Sequence, residues 1–320
     1  MKLFSVIIPF KKKTKYLDKN LSEFNKIKFE SFEIILLPDY VFKLDYNYKF
    51  DIKVIPTGPL SPPQKRDIGV NKCQSKYIFF IDDDAYPSID IFEKTLLVFE
   101  NHKNVSAVAG PAVDPPDENK FGIISSTFFN SKFGGGFPER YSKNNKVFEV
   151  YDWPTVNLFI RRRDFEKIRG FNTKIWPGED SVFCEKLLKH NMKILYSGHL
   201  FVYHYRRTSW QKHFKQVSNY GYQRGFFCKK YFNDFTKIKY FVPTLFLFSN
   251  LLGFINIFLF NKYLWVFNCF FLIYLFTVFS ISLINKKNFF QIFYLFLVSH
   301  TLYGLNFLIG FFSSQARYMK

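Results

Sequence analysis

The sequence contains few cysteines, and the four that are present lie far apart. They stand at Cys73, Cys184, Cys228 and Cys269, without the paired spacing of a zinc site or of a disulfide framework. This distribution excludes a small secreted scaffold held by disulfides. It fits a reducing compartment such as the cytoplasm.

Acidic residues are absent from the end of the chain, because no Asp or Glu follows Asp234. Three apolar runs without charge lie in this part, at residues 240–260, 263–284 and 289–312. Each run is long enough to cross a hydrocarbon core of about 30 Å as a helix. We therefore predict three transmembrane helices. The alternative is a buried bundle in a soluble protein, although soluble helices normally keep a polar stripe.

The start of the chain lacks the pattern of a signal peptide, since the apolar stretch in MKLFSVIIPF is short and runs directly into KKKTK. We therefore expect residues 1–225 to face the cytoplasm, as one domain of a multi-pass protein of the cytoplasmic membrane. The positive-inside rule supports this orientation only weakly. Near the helix ends it places Lys237, Lys239, Lys286 and Lys287 inside, and Lys262, Arg317 and Lys320 outside. The third run is also compatible with a re-entrant or interfacial segment.

Positive charge and aromatic side chains dominate the composition, with a formal net charge of +19, 45 Phe and 20 Tyr. Residues 226–239 close a basic and aromatic stretch just before the first apolar run. Such a mixture suits stacking on nucleic acid. Next to a membrane helix it fits better as an interfacial segment on anionic headgroups, so we predict a membrane partner and no nucleic acid.

The remaining pattern predicts an α/β domain. Residues 3–8 and 32–37 are β-rich runs, and helical spacing of apolar residues lies between them. Strand, helix and strand in this order open a parallel sheet. A third run, KYIFFI at residues 76–81, is apolar at nearly every position, as expected of a central strand covered on both faces.

Three consecutive carboxylates, Asp82, Asp83 and Asp84, follow this central strand. In open α/β sheets, ligands bind at the carboxyl ends of the strands. One Asp capping a helix that starts near Ser88 is the simpler reading, but capping needs only one acid. Three adjacent acids favour a hard divalent cation, Mg²⁺ or Mn²⁺, with diphosphate oxygens completing its coordination.

Several motifs in this order resemble the family 2 glycosyltransferases, which have the GT-A fold and use nucleotide-sugar donors. The resemblance covers residues 3–225 and rests on SVIIPF, EIILLPD, KRDIGV, FFIDDDAYP, DWPTVNLFIRRRDFEKIRGFN, WPGEDSVFCEKLLKHNMKILY and VYHYRR. It implies an α/β GT-A domain with C-terminal transmembrane helices. It also implies metal ligands at Asp82, Asp84 and His204, and catalytic acids in the GED motif, Asp180 with Glu179 beside it.

The predicted donor-binding residues are Pro9, Asp39, Lys65, Arg66, Asp67, Asp82, Asp83, Asn157 and Arg206. The resemblance implies Asp39, Lys65, Arg66, Asp67 and Asp82, whereas Asn157 is a candidate because it precedes another apolar strand, and Arg206 because of its charge. Asp39 matches the acid that contacts the nucleotide base, although Pro38 stands where many members have another Asp. Asp67 stands where Asn is common.

The chemistry of inverting sugar transfer suits these residue types. A base must take the proton of the attacking acceptor hydroxyl, and a Lewis acid must stabilise the departing nucleoside diphosphate. Asp180 fits the base, because a helix begins at this point and its dipole favours the ionised carboxylate. A simple N-cap is the alternative for Asp180.

Other candidates leave more than one reading open. His204 is a metal or phosphate contact or an interior histidine, and Arg206 and Arg207 can hold a diphosphate as charged donors. FGGGFPER, with Gly134 to Gly136, lacks the lysine of a phosphate loop and reads as a mobile loop or a surface turn.

We therefore predict a metal-dependent inverting glycosyltransferase that acts on a lipid-linked or surface-glycan acceptor at the membrane. A synthase that transfers sugar to polyprenyl phosphate is the nearest enzyme alternative. An inactive membrane scaffold or sugar-binding protein is the alternative from another class. A processive polymer synthase is disfavoured, because the QxxRW pattern is absent.

Overall fold

The computed structural model describes residues 2–44, 46–135, 137–230 and 241–316. These residues form two compact units. The first, here called the sheet unit, comprises the described residues up to 117 together with 137–205. The second, the helical unit, comprises the described residues of 118–136 and 206–317.

The sheet unit carries the strands, which are, in chain order, β1 (Phe4–Pro9), β2 (Phe32–Leu37), β3 (Asp51–Val54), β4 (Tyr77–Phe80), β5 (Ala85–Pro87), β6 (Val105–Ala109), β7 (Ala112–Val113), β8 (Val147–Val150), β9 (Leu158–Arg161), β10 (Lys193–Ser197) and β11 (Val202–His204). Its helices are α1 (Lys15–Phe24), α2 (Pro62–Asn71), α3 (Ile91–Asn101), α5 (Arg162–Lys167) and α6 (Glu179–Lys189). The helical unit contains α4 (Lys120–Asn130), α7 (Trp210–Lys230), α8 (Val242–Leu259), α9 (Trp265–Ile284) and α10 (Phe289–Phe312).

Eight strands form the main sheet, in the order β3-β2-β1-β4-β9-β6-β10-β8, and β5-β11-β7 form a second, small sheet. β1 pairs in parallel with β2 and β4, so the carboxyl ends of these three strands lie at one edge. β9 runs antiparallel to β4 and therefore brings its amino end to the same edge. This edge collects the polar residues that follow β1, β2 and β4 and those that precede β9.

The central strands are buried on both faces, as the sequence predicts for a covered parallel sheet. In β4, Tyr77 and Phe79 join an apolar cluster on one face, while Ile78 and Phe80 join a second cluster on the other. Phe79 stacks on Phe159 with ring centroids 3.9 Å apart. Apolar side chains thus cover both faces of β4. This packing fixes the position at which the acidic triplet follows the strand.

Helix α2 begins at a strong start signal. Ser61 and Gln64 form a capping box, and prolines occupy the first turn. The helix then presents Lys65, Arg66 and Asp67 within one turn, close to the carboxyl edge of the sheet.

Three apolar helices, α8, α9 and α10, occupy the positions predicted from the three apolar runs. Among the described residues, Lys262–Ile284 and Lys286–Phe312 are long and apolar enough to cross a membrane, and Thr244–Leu259 is a shorter apolar helix. The juxtamembrane segment predicted at 226–239 corresponds to the end of α7 up to residue 230. Its remaining residues lie outside those described.

The helical unit includes a piece of chain from the middle of the sequence. Residues 118–135 leave the sheet unit and join helices α7 to α10. Within this piece, Phe133 packs against the rings of Phe246, Tyr274 and His300. The glycine-rich turn at Gly134 and Gly135 therefore starts from a fixed point in the helical unit. The predicted single domain of residues 1–225 is bounded differently from either unit, since the helical unit takes 118–135 and resumes at Arg206.

Candidate functional site

The acidic triplet stands at the carboxyl end of β4. β4 ends at Phe80, and Asp82, Asp83 and Asp84 follow before β5 begins at Ala85. Helix α3 has Asp90 as its N-cap, so none of the three acids caps that helix. The structure thus removes the simple capping explanation for the triplet.

Asp82, Asp84 and His204 come together as a candidate metal site. One ligand atom of each residue lies within 4.8 Å of the other two. His204 reaches the cluster because β11 pairs antiparallel with β5, which places His204 beside Ala85. Its Nε2 lies 3.2 Å from Asp84 Oδ1.

The donor set fits a divalent cation such as Mn²⁺. It offers two carboxylates and one imidazole, which are ligand types that Mn²⁺ accepts, and it leaves coordination positions for other oxygen ligands. The three side chains are partly exposed, with 34%, 21% and 16% of their surfaces accessible for Asp82, Asp84 and His204. Phosphate oxygens therefore have a path to an ion held here.

Arg66 joins the acidic triplet to the GED motif. Its Nη2 donates to Asp82 Oδ1 at 2.8 Å, and its Nη1 donates to Glu179 Oε1 at 2.9 Å. The residue is only 2% exposed. A single buried guanidinium therefore spans the end of β4 and the start of α6, and its charge is balanced by two carboxylates.

The two acids of the GED motif have different surroundings. Glu179 is 4% exposed and bound to Arg66, whereas Asp180 is partly exposed and accepts a hydrogen bond from Thr155 Oγ1 at 2.6 Å. The N-cap of α6 is Gly178, with a φ of 103° that favours glycine, so Asp180 lies in the first helical turn and is not the cap.

Burial raises the pKa of both carboxyls of this pair. For Glu179, the neighbouring Asp180 adds to the increase and Arg66 opposes it. For Asp180, Arg66 and the hydrogen bond from Thr155 oppose the effect of burial. A carboxylate with a raised pKa is a better proton acceptor than an ordinary exposed Asp.

Lys65 ties together the ends of β1 and β2. Its Nζ donates to the carbonyl oxygens of Phe10 at 2.6 Å and Leu37 at 3.1 Å, and it also binds Asp39 Oδ1. Burial lowers the pKa of Lys65, and Asp39 opposes this. Pro9, the last residue of β1, is buried next to these contacts of Lys65.

Two further residues that were predicted to bind the sugar donor form hydrogen bonds with backbone groups. Asp67 accepts from the amide nitrogens of Phe171 at 2.8 Å and Asn172 at 2.9 Å, which fixes the turn after α5. Asn157 is fully buried, and its Nδ2 donates to the carbonyls of Pro111 and Leu200. Both side chains shape the edge of the sheet, and a direct contact of either with a donor stays a prediction.

The other two candidates differ in position. Asp83 is partly exposed at the carboxyl edge of the sheet, and its role in donor binding stays a prediction. Arg206 belongs to the helical unit, where its amide nitrogen donates to Glu118 Oε2 at 2.7 Å and its guanidinium lies 5.9 Å from the Phe129 ring centroid. A role for Arg206 in donor binding stays a prediction.

Sequence reasoning missed two features of the site. The first is the hydrogen bond that Thr155, in the motif DWPTVNLFIRRRDFEKIRGFN, donates to Asp180. The pairing of Arg66 with Glu179 joins residues 113 positions apart, and nothing local in either motif signals it. The motif order alone indicates that both belong to the same edge.

The structure is an α/β sheet with an acidic triplet at its carboxyl edge and a second acid pair nearby. This arrangement is typical of GT-A, the fold of transferases that use nucleotide sugars. Comparison with known proteins agrees. The chain matches the family described as "Glycosyl transferase family group 2" over residues 77–308, which is more than half of its length. The chain belongs to this family and is a glycosyltransferase.

Individual relatives are distant. A Methanococcus voltae protein, dolichyl N-acetyl-alpha-D-glucosaminyl phosphate 3-beta-D-2,3-diacetamido-2,3-dideoxy-beta-D-glucuronosyltransferase, is 23% identical over 73% of this chain and 76% of its own. An uncharacterized glycosyltransferase of Haemophilus influenzae is 22% identical over 58% of this chain and 62% of its own. S. aureus TarS, solved with UDP-GlcNAc, has a TM-score of 0.50 and 17% identity over 68% of this chain and 65% of its own. The chain thus spans less than two thirds of the last two proteins.

Proposed function

We propose that this protein is a metal-dependent inverting glycosyltransferase that moves a sugar from a nucleotide-sugar donor to a hydroxyl of a lipid-linked or surface-glycan acceptor. One observation carries the proposal: the cluster of Asp82, Asp84 and His204 is tied through Arg66 to the acid pair at the start of α6. This geometry supports a diphosphate-binding centre and a candidate base at one edge of the sheet.

Asp82, Asp84 and His204 would hold Mg²⁺ or Mn²⁺ together with the donor diphosphate. A divalent ion in this position supplies Lewis-acid stabilisation of the leaving nucleoside diphosphate. Arg66 holds the carboxylate of Asp82 in place through the hydrogen bond to its Oδ1. This pre-orientation lowers the cost of assembling the site when the donor arrives.

Asp180 takes the proton of the acceptor hydroxyl as its oxygen attacks the anomeric carbon. Thr155 fixes the direction of the carboxylate, and Arg66 neutralises the adjacent Glu179. The pair therefore has one carboxylate that is structural and one that is available for proton transfer.

Lys65 acts on the donor indirectly. By binding Asp39 and the two strand ends, it holds the carboxylate that the nucleotide base would meet. Desolvated and fully engaged, its ammonium group has no donor left for the nucleotide.

The acceptor is proposed to be lipid-linked. The name of the Methanococcus voltae relative describes transfer to a dolichyl N-acetylglucosaminyl phosphate, and the similarity covers most of both chains. The apolar helices α9 and α10 would keep the enzyme at the membrane that holds such acceptors.

A donor-hydrolysis screen tests the proposal. Membranes containing the protein are incubated with a panel of nucleotide sugars, with Mn²⁺ or with a chelator, and the released nucleoside diphosphate is measured. We expect release from at least one donor only with the metal, and its loss in Asp82→Ala and Asp84→Ala. Asp90→Ala, a partly exposed acid at the cap of α3, is the matched control and should keep the parent rate. Full activity of Asp84→Ala would refute the proposed metal site.

A further inference from the structure

Helices α7 and α10 of the helical unit lie side by side and run in the same direction. Their contacts advance together along both helices: Trp210 with the ring of Tyr294 at 5.4 Å, His213 Nε2 with Ser299 Oγ at 3.0 Å, and Tyr222 Oη with Ser313 Oγ at 2.7 Å. The contact therefore extends over nearly the whole of α10. The two helices must therefore lie in the same environment, either lipid or water.

Glycines make this contact too close to separate easily. A Cβ atom at Gly221, Gly225 or Gly310 would overlap a backbone carbonyl oxygen of the facing helix, at Tyr303, Phe307 and Tyr222 respectively. Small residues spaced four apart, as at Gly221 and Gly225, allow such backbone approach between helices. α7 and α10 therefore form one rigid pair, here called the α7–α10 pair.

Helix α7 is too polar to lie within hydrocarbon. Its outer face exposes Lys212, Lys215, Lys229 and Lys230, which begin and end the helix. A lysine in the bilayer centre costs several kcal/mol, whereas at the surface it meets anionic headgroups favourably. The α7–α10 pair consequently fits the membrane surface, although α10 alone is apolar and long enough to cross.

The contacts of α8 and α9 with α10 contradict a bundle of three full crossings. In such a bundle the chain alternates direction, so the starts of α8 and α10 lie on the same side. Here the start of α8 meets the end of α10, with the rings of Phe241 and Phe307 5.0 Å apart. The end of α9 meets the start of α10, with Phe279 and Phe289 5.2 Å apart. The start of α8 and the end of α9 thus contact opposite ends of α10.

Helices α8 and α9 pair with each other beyond this junction. Asn256 Nδ2 donates to Asn268 Oδ1 at 2.6 Å, and Gly253 closely meets the backbone of Phe267. The outer surface of this hairpin is apolar, with Phe258 69% and Phe276 72% exposed. Buried asparagine pairs and an apolar exterior suit a helical hairpin surrounded by lipid.

The distribution of lysine and arginine agrees with a hairpin. If only α8 and α9 enter the membrane, Lys237, Lys239, Lys286, Lys287, Arg317 and Lys320 lie on one side. Lys262, at the tip of the hairpin, is then the one cation of this region away from that side. The bias is much stronger than with three crossings, as the positive-inside rule requires.

We propose that the α7–α10 pair lies in the plane of an anionic lipid surface, that only the α8–α9 hairpin enters the hydrocarbon, and that the two ends of the chain are on the same side of the membrane. This proposal rests on the membrane attachment in the proposed function and is independent of the catalytic assignments. Its experiments can therefore fail while transfer activity stands, and the reverse.

The depth of α10 in the bilayer tests the first part. The four cysteines are replaced by serine, and single nitroxide labels are placed at Phe290, Thr301 and Phe312, which all lie on the exposed stripe of α10. In vesicles containing phosphatidylglycerol, we expect equal, shallow depths at the three sites from oxygen and nickel-complex accessibility. A label at Phe276 of α9 is the control and should lie deeper. A label at Thr301 far deeper than at Phe290 and Phe312 would overturn the proposal.

The sidedness of the C-terminus tests the second part and needs no cysteine replacement. Full-length protein with a protease-cleavable tag at each end is placed in oriented vesicles, and each tag is exposed to external protease before and after permeabilisation. We expect both tags to be cleaved, or both protected, in a given orientation. Cleavage of one tag with protection of the other would show an odd number of crossings and refute the arrangement.

Discussion

At the scale of single residues, Arg66 decides how the site is held together. It pairs with one acid from each of the two acidic groups of the proposed site, and it does so from a buried position. Removing it leaves Glu179 without a counter-charge in a dry environment. Unpaired buried charges are among the most costly defects a folded protein can carry.

We predict that Arg66→Gln lowers the free energy of unfolding by about 3–5 kcal/mol, the usual cost of breaking a buried ion pair. Thermal or denaturant unfolding in detergent measures the change. Arg163→Gln is the matched control, because its side chain is 74% exposed and its pair with Asp164 is a surface contact. The control should cost less than about 0.5 kcal/mol. Equal effects of the two changes would contradict the buried bridge.

Asp180→Asn tests the base. We predict a loss of turnover of about 10²–10⁴-fold, since this is what a positioned general base contributes. Nucleoside diphosphate binding should be unchanged, because Asp82, Asp84 and His204 are intact. Retained turnover would instead favour an acceptor that is already an anion, such as polyprenyl phosphate.

Thr155→Val should change the pH dependence of turnover. The hydrogen bond from Thr155 stabilises the ionised form of Asp180 and opposes the increase in its pKa from burial. Without that bond the pKa of Asp180 rises further, so the acid limb of kcat moves to higher pH. Thr155→Ser keeps the hydroxyl and should keep the parent profile. An unchanged or lower acid limb in the valine variant would show that Asp180 is not the group that titrates.

At the scale of elements, the strands and the polar edge follow from the sequence. The apolar runs before Pro9, Pro38 and Asp82 are strands β1, β2 and β4, because a covered parallel sheet needs side chains that are apolar on both faces. Their carboxyl ends must share an edge, so the neighbourhood of Asp39 and Asp82 was predictable. The side-chain partners were not. Lys65 and Asp67 carry the signature of donor contacts, yet carbonyl and amide groups of distant segments occupy them.

The arrangement of the apolar helices was also beyond the sequence. Hydropathy gives the length of α8, α9 and α10 but not their neighbours. The decisive partner of α10 is α7, a helix with lysines at both ends that hydropathy assigns to water. Its glycines, rather than its mean polarity, determine that it packs along an apolar helix.

We also predict that a buried histidine of helix α7 makes the stability of the protein sensitive to acid. His213 is buried between Ser125 Oγ of α4 and Ser299 Oγ of α10, and burial lowers its pKa to about 4. Between its ordinary pKa of about 6.5 and this value, the unfolded state binds more protons, so stability falls as the pH falls. At 1.36 kcal/mol per pH unit the loss is about 3 kcal/mol. Unfolding of the parent and of His213→Asn at several pH values measures it, and equal slopes would contradict the assignment.

At the scale of the whole molecule, the division of the chain into two units does not follow sequence order. Residues 118–135 interrupt the sheet unit and pack with helices that come after residue 206. Composition does not predict that this segment packs with the helical unit, because FGIISSTFFN is no more apolar than a strand or a core helix. The net charge of +19 is shared by both units and agrees with the proposed attachment to an anionic lipid surface.

The most direct test of the central claim is the binding of Mn²⁺ to purified protein, followed by the electron paramagnetic resonance signal of the free ion, with and without a nucleoside diphosphate. The parent and the Asp90→Asn control are predicted to bind one Mn²⁺, more tightly when the diphosphate is present, and Asp84→Asn is predicted to lose this site. Equal Mn²⁺ binding by the parent and Asp84→Asn would contradict the claim that Asp82, Asp84 and His204 hold the ion.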